Sequence, residues 1–391
     1  MDVSGRKGEA ILHADQENSA HERQDDTLRL LHDGPAAYDA LIELIEGARE
    51  SLKLLFYTFA SDKCGKQVLE ALVAAQRRGV AVELAVDDFG SLETDDDFFA
   101  PLDDAGARFN EFQSHLLRAY LLRNHQKVAI ADGARGIVGS FNVADPHLLG
   151  EESGWRDIGV YIEGPAVGRL TVYYDRLMKW MCSEKPRTRE LREILEDCNE
   201  TSGKVRWILG GPARGDNHYV QAIEGAFRES NAVDMIMAYF SPPGHVLKAV
   251  RALAARGRLR LIAAGKTDVG ISRLAGWHTF GRLLKSGAEV WEYQPCKLHT
   301  KLIVTDDAVF IGSGNFDVRS LYVNLEIMLR VENADFRKQV CDMFDGELKE
   351  STRVDMQLYK SRDSLLRRAI WGVSYWVMVW LDRRLSRFFA Q

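Results

Sequence analysis

The chain has 391 residues, 46% of them hydrophobic and 28% charged, which is enough apolar content for two domains of ordinary size, each with its own core. A formal net charge of −6 excludes a global field that would draw it to nucleic acid or anionic lipid, so any such attraction has to be local. Its five cysteines, Cys64, Cys182, Cys198, Cys296 and Cys341, are scattered with no C-x-x-C pair, which argues against a disulfide framework or a zinc site and fits a reducing compartment.

Residues 1–26 are polar and charged with no apolar core, and read as a disordered leader rather than a secretion signal; the active site is then expected to face the cytoplasm. From 27 to 182 the pattern alternates. A helix over Tyr38–Arg49 runs into a strand ending near Tyr57, and a second helix within 69–86 ends at Arg78-Gly79 and runs into another strand. A turn and a strand follow over 103–112. Segment 113–124, with Leu and Tyr among Arg118 and Arg123, reads either as a basic, apolar rim for a lipid or as a surface helix. Asp87-Asp88 and the acidic run at 93–97 read as a solvated loop. Residues 183–204 read as a polar linker with a short helix. From 205 to 350 the same order repeats: a helix over Tyr219–Arg228 and a strand ending near Tyr239, a helix within 247–264 ending at Arg256-Gly257 and its strand, then a turn and a strand over 284–293. Gly79 and Gly257 are expected as C-terminal helix caps. This alternation predicts an α/β fold of two domains with mixed sheets, packed about a pseudo-twofold axis.

The tail, 351–391, carries Trp371, Trp376 and Trp380 among Arg367, Arg368, Arg383, Arg384 and Arg387. Its charge-free stretch from Ala369 to Leu381 is thirteen residues, against the roughly 20 needed to span a bilayer. It is therefore expected to be an amphipathic helix lying in the membrane interface, with packing on the domain as the other reading.

One sentence of the sequence is written twice. HQKVAIADGARGIVGSFN (125–142) and HTKLIVTDDAVFIGSGN (299–315) each give His-x-Lys, an Asp five residues after the Lys, then Gly-Ser-x-Asn. Residues two apart on a strand share a face, so His125 presents with Lys127, and His299 with Lys301. The next apolar run can return as a hairpin and bring Ser140 and Asn142, or Ser313 and Asn315, to the same end, where with the lysines they would cradle a phosphate oxyanion. Two imidazoles facing each other can exchange a phosphodiester without metal: one attacks phosphorus, the other protonates the leaving alcohol. Asp132 and Asp306 lie seven residues past their histidines, about 23 Å along an extended strand, too far to orient their own imidazole. Asp157 and Glu326, each opening a later strand, are the expected partners that fix the tautomer.

These residues resemble the signature of the phospholipase D superfamily, His-x-Lys-x4-Asp followed by Gly-Ser/Gly-x-Asn, over roughly 27–350, and in particular the short type of bacterial cardiolipin synthase without N-terminal membrane spans. HDGPAAYDALIELIEGARESLKLLFYTF (32–59), RRGVAVELAVDDFGS (77–91) and WRDIGVYIEGPAV (155–167) carry the same likeness. The resemblance implies two α/β sandwich domains with the active site at their interface, His125, Lys127, Asp132, His299, Lys301 and Asp306 as catalytic residues, His125 as nucleophile and His299 as acid/base. It further implies transfer of a phosphatidyl group between phospholipids: phosphatidylglycerol, with phosphatidylethanolamine or cardiolipin as alternatives, and phospholipase D-type hydrolysis as the other outcome. No cofactor, metal or nucleic acid is expected, and the enzyme is expected at the cytoplasmic side, peripheral on the inner membrane; the sequence sets no oligomeric state. The first copy has Gly139-Ser140 where some relatives carry Gly-Gly.

Overall fold

The computed structural model describes residues 25–112, 122–150, 154–213 and 215–389, with backbone alone for 381–389. The expected leader, save its last two residues, and positions 113–121 of the proposed rim lie outside them. In the first half, strands β1 (Thr27–Leu31), β2 (Ser51–Phe56), β3 (Ala81–Asp87), β4 (Arg108–Phe112), β5 (Val128–Ala131), β6 (Arg135–Gly139) and β8 (Gly159–Glu163) form one sheet, and β7 (Trp155–Arg156) stands apart. The second half has β9 (Val205–Gly210), β10 (Ala232–Met237), β11 (Phe240–Ser241), β12 (Arg258–Ala264), β13 (Glu289–Tyr293), β14 (Lys297–Leu298), β15 (Lys301–Val304), β16 (Val309–Gly312), β17 (Phe316–Asp317), β18 (Glu326–Val331) and β19 (Ser351–Val354).

The sheet orders, β1-β8-β6-β5-β2-β3-β4 and β9-β18-β16-β15-β10-β12-β13-β19, match strand for strand, and β19 is the one addition. In each, a parallel run (β2-β3-β4; β10-β12-β13) joins an antiparallel one, so both sheets are mixed and the fold is the duplicated α/β one expected.

Alternation along the central strands sets the layers. Val128 and Ile130 of β5, with Leu302 and Val304 of β15, point into a core shared by the two halves. Ala129 and Ala131 face the outer core of the first half, and Ile303 that of the second. Strands buried on both faces read as continuous apolar runs, which is the pattern seen in the sequence. The helix Gly34–Glu46 starts where the Asp33 side chain accepts the Ala36 N–H and Pro35 takes the first turn, then buries Ala37, Ala40, Leu41, Leu44 and Ile45.

Three features differ from the sequence reading. The linker helix Thr188–Cys198 sends Leu191, Ile194 and Leu195 into the shared core, so the connection is packed on one face and polar on the other. β19 pairs antiparallel with β13, carrying the second domain past 350. Gly79 takes a left-handed conformation just past its helix, φ 94°, and Gly257 caps its own helix, its N–H donating to the Leu253 carbonyl, but in an extended conformation; a Cβ there would come within 2.1 Å of the Asn231 carbonyl oxygen, so close backbone approach is what requires glycine.

The C-terminal helix Leu365–Phe389 packs one face on the second half, the alternative reading of the tail. Trp371 is buried against Trp277 and Tyr359, at ring centroid separations of 5.3 and 5.7 Å, and Tyr375 Oη donates to the Pro242 carbonyl. Its other face leaves Leu366, Ile370, Val373, Trp376 and Trp380 exposed.

Candidate active site

Each signature histidine is placed by backbone hydrogen bonds to the opposite half. His125 N–H donates to the Leu325 carbonyl at 3.0 Å, and Leu325 N–H to that of Arg123. His299 N–H donates to the Arg156 carbonyl at 2.9 Å, where β14 pairs with β7. The residues that follow Leu325 and Arg156 are Glu326 and Asp157. The carboxylates are thereby exchanged: His125 Nδ1 bonds both oxygens of Glu326, at 3.1 and 3.0 Å, and His299 Nδ1 bonds Asp157 Oδ1 at 2.7 Å. An ionised carboxylate only accepts, so each Nδ1 carries its proton and each Nε2 is free for chemistry.

Around this pair the two halves match. Tyr57 packs edge-on against His125 and Trp155 against His299, at 4.9 and 5.1 Å between centroids. Lys127 and Lys301, both buried, donate from Nζ to the carbonyl of their own histidine. Both lysines feel the charges of both Asp157 and Glu326, so the two signatures share one electrostatic site. Asn142 and Asn315 are 5% and 4% exposed.

Two sequence-predicted roles need correction. Ser140 and Ser313, both fully buried, donate to Asp157 Oδ1 at 2.6 Å and Glu326 Oε2 at 2.5 Å, while accepting from Ile158 and Ile327 N–H. They stand behind the carboxylates rather than in a phosphate cradle. The preceding glycine is there for room, since a Cβ on Gly312 would sit 2.2 Å from the Ile327 carbonyl oxygen.

Asp132 and Asp306 are not in the site, because a four-residue strand carries them to its far end. Asp132 has φ 55° beside Gly133 at φ 64° in the β5–β6 turn, and its carboxylate accepts the N–H groups of Arg49, Glu50 and Ser51. Asp306 accepts those of Asn231 and Ala232. Both tie the hairpin to the start of the neighbouring strand.

A third imidazole was not expected. His147 Nδ1 donates to Asp157 Oδ2 at 2.6 Å, its Nε2 lies 3.4 Å from Asn142 Nδ2, and its ring stacks on Trp155. The sequence signal was faint: His147 lies five residues after Asn142, and the second copy has Ser320 at that offset. Among the described residues, His147, Asp157 and His299 are the ones whose donor atoms approach closely enough to meet on one metal ion, all within 4.8 Å. As they stand, both carboxylate oxygens are taken up as hydrogen-bond acceptors by the two imidazoles.

Burial dominates the titration of the site. It pushes His125 down to about 4 and His299 well below the ordinary histidine range, against the pull of Glu326 and Asp157 respectively. Burial likewise takes Lys301 down to about 7 and Lys127 well below its usual range. Burial would raise the two carboxyls, but the imidazoles bonded to them outweigh it, so Asp157 is held well below its usual range and Glu326 is lowered.

A two-lobed α/β fold in which each lobe presents a buried His-x-Lys and lends its carboxylate to the other's imidazole defines a class of duplicated enzyme. The model for the family described as cardiolipin synthase, phospholipase D-like domain matches residues 41–179 and 219–348. The chain therefore belongs to this family, and it is an enzyme of the phospholipase D superfamily. It is similar to cardiolipin synthase 1 of Bacillus anthracis (28% identical, covering 86% of this chain and 69% of that one). It also resembles cardiolipin synthase A of Pseudomonas putida (30%, 84% and 69%) and the major cardiolipin synthase of Bacillus subtilis (29%, 90% and 74%). Among solved structures, the phosphatidylserine synthase of Haemophilus influenzae shares the fold, with a TM-score of 0.69 at 13% identity over 96% of this chain and 99% of that one.

Proposed function

We propose that this chain is a phosphatidyltransferase of the cardiolipin synthase type, moving a phosphatidyl group from one phospholipid to the alcohol of another through a covalent phosphohistidine. The observation that carries the reading is the exchange of carboxylates, which engages Nδ1 of both His125 and His299, from opposite lobes, and leaves each Nε2 without a hydrogen-bond partner among the described residues. In the first step the His125 Nε2 lone pair attacks phosphorus, the bond to the donor's alcohol oxygen breaks, and His299 gives that oxygen its Nε2 proton. In the second, His299 takes the proton of the acceptor hydroxyl, whose oxygen displaces His125. The choice of His125 as nucleophile follows the family resemblance.

Free of substrate, burial favours the neutral imidazoles. An anionic phosphodiester beside them raises their affinity for a proton, so the substrate itself charges the acid. The Nδ2 amides of Asn142 and Asn315, together with the two lysines, are suited to donate to the phosphoryl oxygens.

The names of the relatives support phospholipid substrates in general; phosphatidylglycerol, with phosphatidylethanolamine or cardiolipin as alternatives, is what the family resemblance implies. Among the described residues no helix is long and apolar enough to cross a membrane. The exposed ridge Leu366, Ile370, Val373, Trp376 and Trp380 supports a peripheral seat on the membrane, and the scattered free cysteines favour its cytoplasmic side. The test is incubation of purified protein with phosphatidylglycerol vesicles, alone and with phosphatidylethanolamine, followed by mass spectrometry. Cardiolipin and free glycerol are expected from phosphatidylglycerol alone; phosphatidic acid as the sole lipid product would make the enzyme a hydrolase.

A further inference from the structure

The two half-sites share their histidine–carboxylate, lysine and serine contacts and differ in what else the carboxylate holds. Glu326 serves His125 and Ser313. Asp157 serves His299 and Ser140 and, through its second oxygen, also His147. The rings of His147 and His299 lie edge to face at 5.0 Å, and both are under a tenth exposed. The far nitrogen of His147 faces the Asn142 amide, whose Oδ1 accepts from Thr58 N–H. Asn315, its counterpart, has an Oδ1 with no partner among the described residues.

We propose that His147 is a positioning residue that divides the Asp157 carboxylate between two imidazoles, and so makes His299 the readier proton donor of the two catalytic histidines. A carboxylate already accepting a second N–H has less negative charge to offer an imidazolium on its other oxygen. His299⁺ is accordingly held less firmly than His125⁺, whose Glu326 also accepts from Ser313 but bonds no second imidazole. The charged and titratable groups that face His299 are Asp157, Lys301 and His147; those that face Asp157 are the two imidazoles and, at longer range, Lys127 and Lys301. Around His125 stand Glu326, Lys127 and Lys301, with Asp317 facing Glu326; among the described residues His147 has no imidazole equivalent there. The same ring contacts Asn142, so one residue touches both the carboxamide of its own half and, through Asp157, the acid of the other.

The inference rests on the two-histidine reading and is tested apart from it. Turnover of phosphatidylglycerol vesicles is measured from about pH 5 to about 9 for the full chain, His147→Phe and His147→Asn. Phe keeps the stack on Trp155 without a hydrogen bond. The Asn amide N–H stands where Nδ1–H was. With Asp157 undivided, His299 holds its proton more tightly, so the alkaline limb of kcat in His147→Phe is expected to move up by about half a pH unit or more. His147→Asn is expected to return it toward the original position. A limb that stays in place in His147→Phe, or moves equally in both variants, overturns the role of His147; turnover surviving His299→Ala overturns the underlying mechanism instead. Independently of how the variants fold, ¹⁵N-histidine spectra of the unaltered chain with inorganic phosphate should show His299 losing its proton at lower pH than His125. The reverse order overturns the inference.

Discussion

The two half-sites are built from the same parts, yet they are furnished differently around the shared geometry. Beside the first Gly-Ser-x-Asn stand Ala144 and His147; at the same offsets in the second stand Asp317 and Ser320. Next to the exchanged carboxylates the first half has Arg156, which reaches across to Glu347, and the second has Leu325. What the pair teaches is that a duplicated site keeps its reacting groups equivalent in position while the residues behind them set unequal proton affinities.

The sharpest test of equivalence is removal of either imidazole. His125→Ala and His299→Ala are each expected to lower turnover by about a thousandfold or more, and acid-quenched enzyme with labelled substrate should carry the label on His125 alone. Label on both rings would make the halves interchangeable. Next in size, Glu326→Gln and Asp157→Asn are each expected to cost about a hundredfold. Because the carboxylates are exchanged, Glu326→Gln should slow formation of the labelled enzyme through His125, in the other half. Normal label formation in Glu326→Gln would break the crossed pairing.

Smaller effects fall on stability. Arg156→Ala leaves the buried Glu347 unpaired across the interface and is expected to cost about 3 kcal/mol in urea unfolding, whereas Leu325→Ala should cost about as much by leaving a cavity. Burial takes the carboxyl of Asp317 up to about 6. A folded-state value above the unfolded one contributes stability that is full below about pH 4 and lost as pH rises through 6. Asp317→Asn, which retains an acceptor for Ser320 N–H, lacks this term. Wild-type stability relative to the variant should therefore fall by up to about 3 kcal/mol between pH 4 and 7, and a flat difference would remove the titration. The smallest change is expected for Trp376→Ser with Trp380→Ser: liposome binding several-fold weaker with unfolding unaltered. Truncation of the whole helix would not separate these, because Trp371 belongs to the second half's core.

The sequence made the α/β alternation and the duplicated signature legible because spacing survives translation into strands: His125 with Lys127 and His299 with Lys301 followed from period two. Asp157 and Glu326 could be picked out as partners, but chain spacing does not say which lobe a strand will lean against, so the exchange was invisible. Ser140 and Ser313 were misread because a hydroxyl at a strand end can turn to either side, and here it turns to the carboxylate one strand over. His147 escaped for a different reason. Duplication was the evidence, and His147 is what the second copy lacks.

The crossed carboxylates also bear on how such a molecule can change over time. A duplicated segment is ordinarily free to decay in one copy while the other keeps working. On the proposed mechanism a lesion at Glu326 would disarm the imidazole of the sister copy, and one at Asp157 would do the same in return. The crossed hydrogen bonds thus tie the upkeep of each carboxylate to the work of the other repeat.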